Sequence, residues 1–312
     1  MGELAGLLRP GDLLVVNDAA TMPASLRGSS RLGPVEARLA GGGEKIGEWW
    51  AVLFGEGTWK ETTEERAAPP ALAHGDLIRF GDDLRARVRA VSELSPRLVE
   101  LRFECDEEEI WPRLYAAGRP VQYSYLRGPV PLRSVQTPFA GRPWAVEMPS
   151  AGRALVVPLL GELRRRGVGI ASVTHAAGLS STGDPVLDAA LPLPERYAIP
   201  EATVAAVAGA RATGGRVVAV GTTVVRALEG SSASGGGALR AGEGVTDLRI
   251  GPGFAPKVVA GLLTGIHEPG SSHFELLQAF APAGLLDAAF RHAEAEGYLG
   301  HEFGDLSLVL AA

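Results

Sequence analysis

Arg216 to Glu229 constrains this chain most: Arg-Val-Val-Ala-Val-Gly-Thr-Thr-Val-Val-Arg-Ala-Leu-Glu. The apolar run Val217–Val220 reads as a buried strand. Gly221 allows a tight backbone turn, and Thr222 or Thr223 is placed to cap a helix carrying Arg226 and Glu229. Strand, glycine, hydroxyl and helix in this order is how open α/β proteins present a ligand site at the carboxyl ends of their strands. The free N–H groups at such a helix start favour an anionic group. A well-capped βα turn without a ligand gives the same local pattern.

The rest of the chain extends this rhythm on both sides. Residues 12–16 read as one short buried strand. From Val35 to Phe103 the period becomes two: Leu84, Ala86 and Val88 alternate with Arg85, Arg87 and Arg89, and Val99, Leu101 and Phe103 with Glu100, Arg102 and Glu104. These are strands with one wet face. Gly41-Gly42-Gly43 and Pro69-Pro70 punctuate them, and a small antiparallel β-barrel follows. Asp106–Ala117 reads as a helix, stopped at Gly118.

From Trp144 the α/β rhythm returns. Strands are expected at Ala145–Met148, Val168–Thr174, Val217–Val220 and Leu248–Ile250. Helices are expected over Ala151–Arg166, from Pro200 to about Ala212, near Lys257, over Ser272–Phe280 and over Pro282–Gly297, with a flexible Gly/Ser-rich loop over Ser231–Gly244. The fold class is α/β. The main domain, barrel-like or open, comprises residues 1–30 and 131–312. The inserted β-barrel, with a helix at its end, comprises residues 31–130.

Composition narrows the setting. The chain is 312 residues long, 46% hydrophobic and 21% charged, with a formal net charge of −6. A nucleic-acid partner therefore needs a local basic patch, because the overall field opposes it. A single cysteine, Cys105, excludes an internal disulfide framework and a cysteine-built metal site. Met1–Asp12 lacks a secretory pattern, and no apolar run is long enough to span a bilayer. A cytoplasmic monomer without membrane contact is expected.

Further motifs accompany the strand–helix block. Gly251-Pro252-Gly253-Phe254 precedes Lys257, Leu262-Leu263-Thr264, His267 and Pro269. Upstream stand Pro149-Ser150-Ala151-Gly152 and Gly11-Asp12-Leu13-Leu14-Val15-Val16-Asn17. In this order and spacing, over most of residues 11–312, the chain resembles the S-adenosylmethionine:tRNA ribosyltransferase-isomerase family of queuosine biosynthesis. The AVGTTxVRxLE and PGFxxKVVxxLLTxxHxP blocks carry the resemblance together.

The resemblance implies an α/β scaffold with a β-barrel insertion. It implies S-adenosylmethionine as substrate, no metal, and tRNA as partner. The family joins the ribosyl part of S-adenosylmethionine to the aminomethyl group of a deazaguanine in tRNA, giving epoxyqueuosine. Such a site needs a base beside the sulfonium, donors for the ligand, and a cationic surface for the anticodon arm.

Gly221, Thr222, Thr223 and Arg226 are the first ligand candidates, although Arg226 also suits an ion pair. Ser150 reads as a helix cap or a ligand contact, and Gly152 belongs to the same motif. Gly251 and Gly253 would let a ligand approach the backbone, or simply form a turn. Lys257 suits a phosphate or carboxylate. Glu195 and Tyr197 carry over from a Glu-x-Tyr pair of the family. His267, in a turn, and His175, at a strand end, are candidate acid–base groups, with Glu229 as a carboxylate candidate. Asp305 reads as a turn residue, and Arg164-Arg165-Arg166 as helix-terminal cations.

The chain departs from the family at several polar positions. Ala19-Ala20 and Ser25 stand where the family has arginines in Thr-Arg and Pro-Ala-Arg-Leu. Arg153-Ala154-Leu155 stands for Leu-His-Phe, His175 is shifted by one residue, and Leu193-Pro194 replaces Met-His. The family's usual amino-terminal segment, some tens of residues, is expected to be absent. A divergent paralogue acting on a small adenosyl or nucleoside-like ligand without tRNA fits these losses, as does a non-catalytic binding protein. A basic face linking barrel and α/β domain favours tRNA, a closed pocket the small ligand, and a filled pocket the binding protein.

Overall fold

The computed structural model describes residues 3–42 and 47–311. A short helix, α1 (Leu4–Leu7), leads into strand β1 (Leu13–Asn17). The chain then leaves the main sheet for β2 (Ser25–Ser30), β3 (Gly33–Gly42), β4 (Glu48–Phe54), β5 (Leu77–Phe80), β6 (Leu84–Val91) and β7 (Leu98–Phe103). Helix α2 (Ile110–Ala117) closes this excursion. The return runs through α3 (Val157–Arg165), β8 (Gly169–His175), α4 (Pro185–Ala190), β9 (Glu195–Ile199) and α5 (Glu201–Ala212). The chain continues with β10 (Val217–Val220), α6 (Thr222–Ser234), β11 (Gly242–Thr246), β12 (Gly261–Gly265), α7 (Ser272–Leu277), α8 (Ala283–Ala295) and β13 (Leu306–Leu310).

The main sheet is open, with strand order β11-β9-β8-β1-β10-β12-β13. Its centre, β8-β1-β10-β12, is parallel, and the outer pairings are antiparallel. Successive strand residues point to opposite faces, and here both faces are covered. Leu13, Val15, Val217 and Ala219 pack with residues of α5, α6, α7 and α8. Leu14, Val16, Val218 and Val220 pack with α1 and α3 on the other side. That two-sided cover is why the central strands read as continuous apolar runs rather than as alternation.

The inserted strands close into a six-stranded antiparallel barrel, β2-β3-β4-β7-β6-β5. Alternation in β6 follows the sequence reading, with Leu84, Ala86 and Val88 inside. Ser29 pairs with Arg79 to shut the seam. At that seam a Cβ on Gly28 would lie 2.2 Å from the Arg79 carbonyl oxygen, so only glycine lets β2 and β5 meet.

Several boundaries differ from the sequence reading. The barrel takes in β2, residues 25–30, which belonged to the main domain in that reading. Strand β3 runs through Gly42, so Gly41-Gly42 is strand rather than turn, while Gly43 lies outside the described residues. Ala145 makes only an isolated bridge to Thr21. The helix expected over Ala151–Arg166 starts at Val157, after a single turn at Ser150–Gly152. Leu248–Ile250 is not a strand; the strand is β11, formed from Gly242–Thr246 against β9. No helix forms near Lys257, and β12 follows instead.

Candidate functional site

A cleft of about 500 Å³ opens where the parallel strands end. Its floor is the β10–α6 turn and the end of β12. Its walls come from Glu147–Ala151, from Ala177–Ser181, from Thr62–Glu64 of the barrel, from Tyr123–Tyr125 after α2, and from Gly300–Glu302. The cleft therefore lies between the barrel and the carboxyl edge of the open sheet, the position that open α/β sheets reserve for ligands.

Gly221 makes the floor possible. Its φ of +93° is a conformation that side-chain-bearing residues avoid. It serves as the N-cap of α6, so neither Thr222 nor Thr223 caps the helix as the sequence suggested. Both threonines line the cleft instead. Thr223 Oγ1 accepts a hydrogen bond from Asn17 Nδ2 at 3.3 Å. Asn17 also donates to the His175 carbonyl and accepts from the His175 N–H, each at 3.0 Å, which ties the ends of β1 and β8 together.

Arg226, one turn into α6, donates to the Glu195 carboxylate at the cleft wall. Glu195 also accepts from the Gly178 N–H at 2.8 Å and stands 3.5 Å from His175 Nε2. His175 is fully buried and does not line the cleft; burial and the Arg226 charge push its pKa down to about 4, against the pull of Glu195.

The second motif block contributes from β12. Thr264 Oγ1 and His267 Nε2 lie 2.8 Å apart, and the His267 ring stacks on His273 with centroids 4.8 Å apart. Burial lowers His267 to about 4 and His273 to about 3, so both rings are neutral at pH 7. Both line the cleft, as does Ser150.

Other candidates lie elsewhere. Glu229 is a correction: its carboxylate is buried under α6 and accepts the N–H groups of Lys257, Val258 and Val259, each at 2.9 Å. It has no face toward the cleft, and its work is to anchor the strand entering β12. Lys257 is exposed and outside the cleft, and Gly251 and Gly253 form a turn away from it. Gly152 is buried beside Thr137 and Phe139, behind Ser150. Tyr197 is buried in the core on one face of the sheet, its hydroxyl against Gly244. Asp305 caps its own turn by accepting the Leu299 N–H at 2.9 Å.

The cleft also holds acidic and aromatic groups that local sequence patterns did not single out. Glu147 accepts from the Tyr123 hydroxyl and from the Ser180 N–H. Burial raises its carboxyl above the ordinary range despite those bonds. Burial and the nearby Glu147 raise Glu302 to about 7. Tyr125 stacks on His301 at 5.2 Å, and burial and Glu302 raise its hydroxyl. The one sequence signal for this wall is the Tyr-x-Tyr spacing of Tyr123 and Tyr125. Glu147 and Glu302 come from distant segments and share no local pattern.

Among the described residues no helix is long and apolar enough to cross a membrane, and no group of three or more His, Cys, Asp or Glu is placed to hold a metal ion.

The chain resembles known proteins over almost its whole length. A model of the family described as queuosine biosynthesis protein matches residues 1–309. The S-adenosylmethionine:tRNA ribosyltransferase-isomerase of Acidiphilium cryptum is 36% identical over 320 residues, covering 98% of this chain and 87% of its own length. The protein of the same name from Thermus thermophilus is 38% identical over 318 residues, covering 99% and 87%. A crystal structure of an S-adenosylmethionine tRNA ribosyltransferase from Thermotoga maritima is 25% identical, covers 99% of this chain and 86% of its own, and aligns with a TM-score of 0.48. With both motif blocks meeting at one sheet edge and the match running almost end to end, this chain belongs to the queuosine biosynthesis protein family.

Proposed function

We propose that this chain is an S-adenosylmethionine:tRNA ribosyltransferase-isomerase. It transfers and isomerises the ribosyl moiety of S-adenosylmethionine onto 7-aminomethyl-7-deazaguanine in tRNA to give epoxyqueuosine, with loss of adenine and methionine. The observation that carries this reading is the convergence in one cleft of Gly221–Arg226 and Thr264–His267, the hearts of the two motif blocks.

In this reading Thr222, Thr223 and the free N–H groups at the start of α6 hold an anionic group of S-adenosylmethionine, its carboxylate. Glu147, Glu195 and Glu302 line the same cleft and present carboxyl oxygens to a sulfonium cation. The sulfonium acidifies the carbon beside it, and His267, neutral at working pH, accepts that proton. Glu302, poised near pH 7, is a second proton-transferring group in the same space. Arg226, at the cleft wall, holds Glu195 in place through its hydrogen bond, and the buried His175 packs behind that carboxylate. The open cleft between barrel loops and strand ends leaves room for a macromolecular substrate, whereas a filled pocket would favour a binding protein without chemistry.

Calorimetric titration with S-adenosylmethionine tests the ligand half of the reading. Wild type is expected to bind, and Thr222→Ala to bind more weakly. No heat at millimolar ligand would overturn it.

A further inference from the structure

The stretch from Ile110 to Val146 contains five arginines (Arg113, Arg119, Arg127, Arg133 and Arg142) and no aspartate, glutamate, lysine or histidine. In a chain of net charge −6 this is a local positive strip. Arg113 pairs with Glu109 and Arg142 with Glu243. Arg119, Arg127 and Arg133 are exposed and have no ion pair among the described residues.

The same strip borders two clefts. Tyr123 and Tyr125 face the cleft at the sheet edge. Arg119, Pro120, Pro129 and Pro131 face a second cleft of about 550 Å³ on the barrel, together with Arg27 and Trp59. Glu36 forms part of its floor, but that charge is already taken. Arg38 and Arg66 donate to it at 2.8 and 3.0 Å, and Ser25 at 3.0 Å. Burial opposes its ionisation, yet the two guanidinium groups hold its carboxyl below the ordinary range. Arg27 at the rim also stands 3.9 Å from Glu36, so three guanidinium groups surround one carboxylate, and with Arg119 the charges of the cleft sum to a positive value. Arg38 also spans the gap between the clefts, with its guanidinium 5.5 Å from the Tyr123 ring centre.

A half-buried tryptophan between proline walls, rimmed by arginines, matches what a single-stranded nucleic acid requires: a flat surface for a base and cations for its phosphates. Arginine suits both tasks, because its planar fork stacks on rings and binds phosphate oxygens. We propose that the second cleft receives the base of an unpaired nucleotide neighbouring the one that enters the main cleft, stacked on Trp59, with Arg27 and Arg119 on the flanking phosphates. This rests on the tRNA reading given above and adds to it a residue-level docking site outside the reaction cleft.

The test uses the full chain, a fluorescent anticodon-arm stem-loop RNA, and anisotropy titrations over a range of salt, with S-adenosylmethionine calorimetry run in parallel. Trp59→Ala is expected to weaken RNA binding about ten-fold, the scale of one lost base stack. Arg119→Ala, at an exposed position, is expected to reduce the slope of log K against log salt by about 0.7. Arg85→Ala, on the exposed face of β6, is expected to change the RNA affinity far less. S-adenosylmethionine affinity is expected to stay at the wild-type value in all three. Removing single bases along the RNA loop should reveal one position that weakens binding to wild type but not to Trp59→Ala.

RNA binding by wild type that is unchanged in both Trp59→Ala and Arg119→Ala would overturn the proposal and leave the tRNA reading intact. Wild-type protein that binds S-adenosylmethionine but no RNA at low salt would overturn the tRNA reading and the proposal with it.

Discussion

The Glu195 carboxylate accepts a hydrogen bond from the Arg226 guanidinium while its same oxygen stands 3.5 Å from His175 Nε2. A residue of the β10–α6 motif is thereby locked to the ends of β8 and β9. The two charges are almost fully withdrawn from water, at 11% and 5% side-chain exposure. A buried pair is costly to break, because one charge is left without a partner. Arg226→Ala is therefore expected to destabilise the fold by about 3–5 kcal/mol and to weaken S-adenosylmethionine binding. A second readout is specific to this geometry. Arg226 holds the His175 pKa down, and Glu195 pulls it up. Without Arg226 the His175 ring should titrate higher than about 4, and Glu195→Gln should move it lower; NMR titration of the histidine signals checks both directions.

Glu302 makes stability depend on pH in a defined sense. Its folded pKa of about 7 lies above the ordinary carboxyl value of 4.5, so the folded state holds the proton more tightly than the unfolded chain. The resulting stabilisation is fully present below about pH 4.5 and is lost as pH rises to about 7. Melting temperatures across that window should fall more steeply for wild type than for Glu302→Gln, which carries no titrating group at this position. Equal slopes in the two proteins would contradict the assignment.

The acid–base roles separate kinetically. His267 is neutral down to about pH 4, so His267→Ala should lower turnover by about 10²- to 10⁴-fold while leaving the limb of the pH–rate profile near 7 in place. Glu302→Gln should remove that limb while leaving measurable turnover. Pre-steady-state rates from pH 5 to 9 distinguish the two variants.

Glu229 is expected to behave as a structural residue. Glu229→Ala leaves three N–H groups without their acceptor, at least two of them in buried residues. The loss is expected to be about 3 kcal/mol or more, a fall in melting temperature of about 6–12 °C. S-adenosylmethionine affinity of the folded fraction should match wild type. A stable variant with weakened ligand binding would return Glu229 to the site.

The parts of the fold that were legible in the sequence are those where one physical cause dominates. Val217–Val220 reads as a strand because both its faces are covered, and the strand ends where Gly221 must take a positive φ. Barrel strands β6 and β7 read from alternation because one face meets water. Tertiary pairing decided the places where the reading failed. Ser231–Ser234 continues α6 because Ser231 and Ser232 are buried, although the serines suggest a loop. Gly242–Thr246 becomes a strand only because the edge of β9 offers a partner. Leu248–Ile250 has the apolar composition of a strand but finds no neighbouring edge.

The site divides the same way. Gly221, Thr222, Thr223, Arg226 and His267 stood out in the sequence because they sit within two contiguous motifs, and all five line the cleft. Tyr123, Glu147, His273 and Glu302 did not, because only folding brings them to one cleft. His175 was placed at the right strand end, but full burial puts it behind Glu195 rather than at the ligand.

The proposed reaction moves the ribosyl group of S-adenosylmethionine, and not its methyl group, to tRNA. The most direct measurement incubates the chain with tRNA bearing 7-aminomethyl-7-deazaguanine and with S-adenosylmethionine labelled separately in the ribose, the methyl group or the adenine. Label in the RNA from the ribose alone, with adenine released, is the expected result. RNA that gains no label, or gains it from the methyl group, would contradict the account.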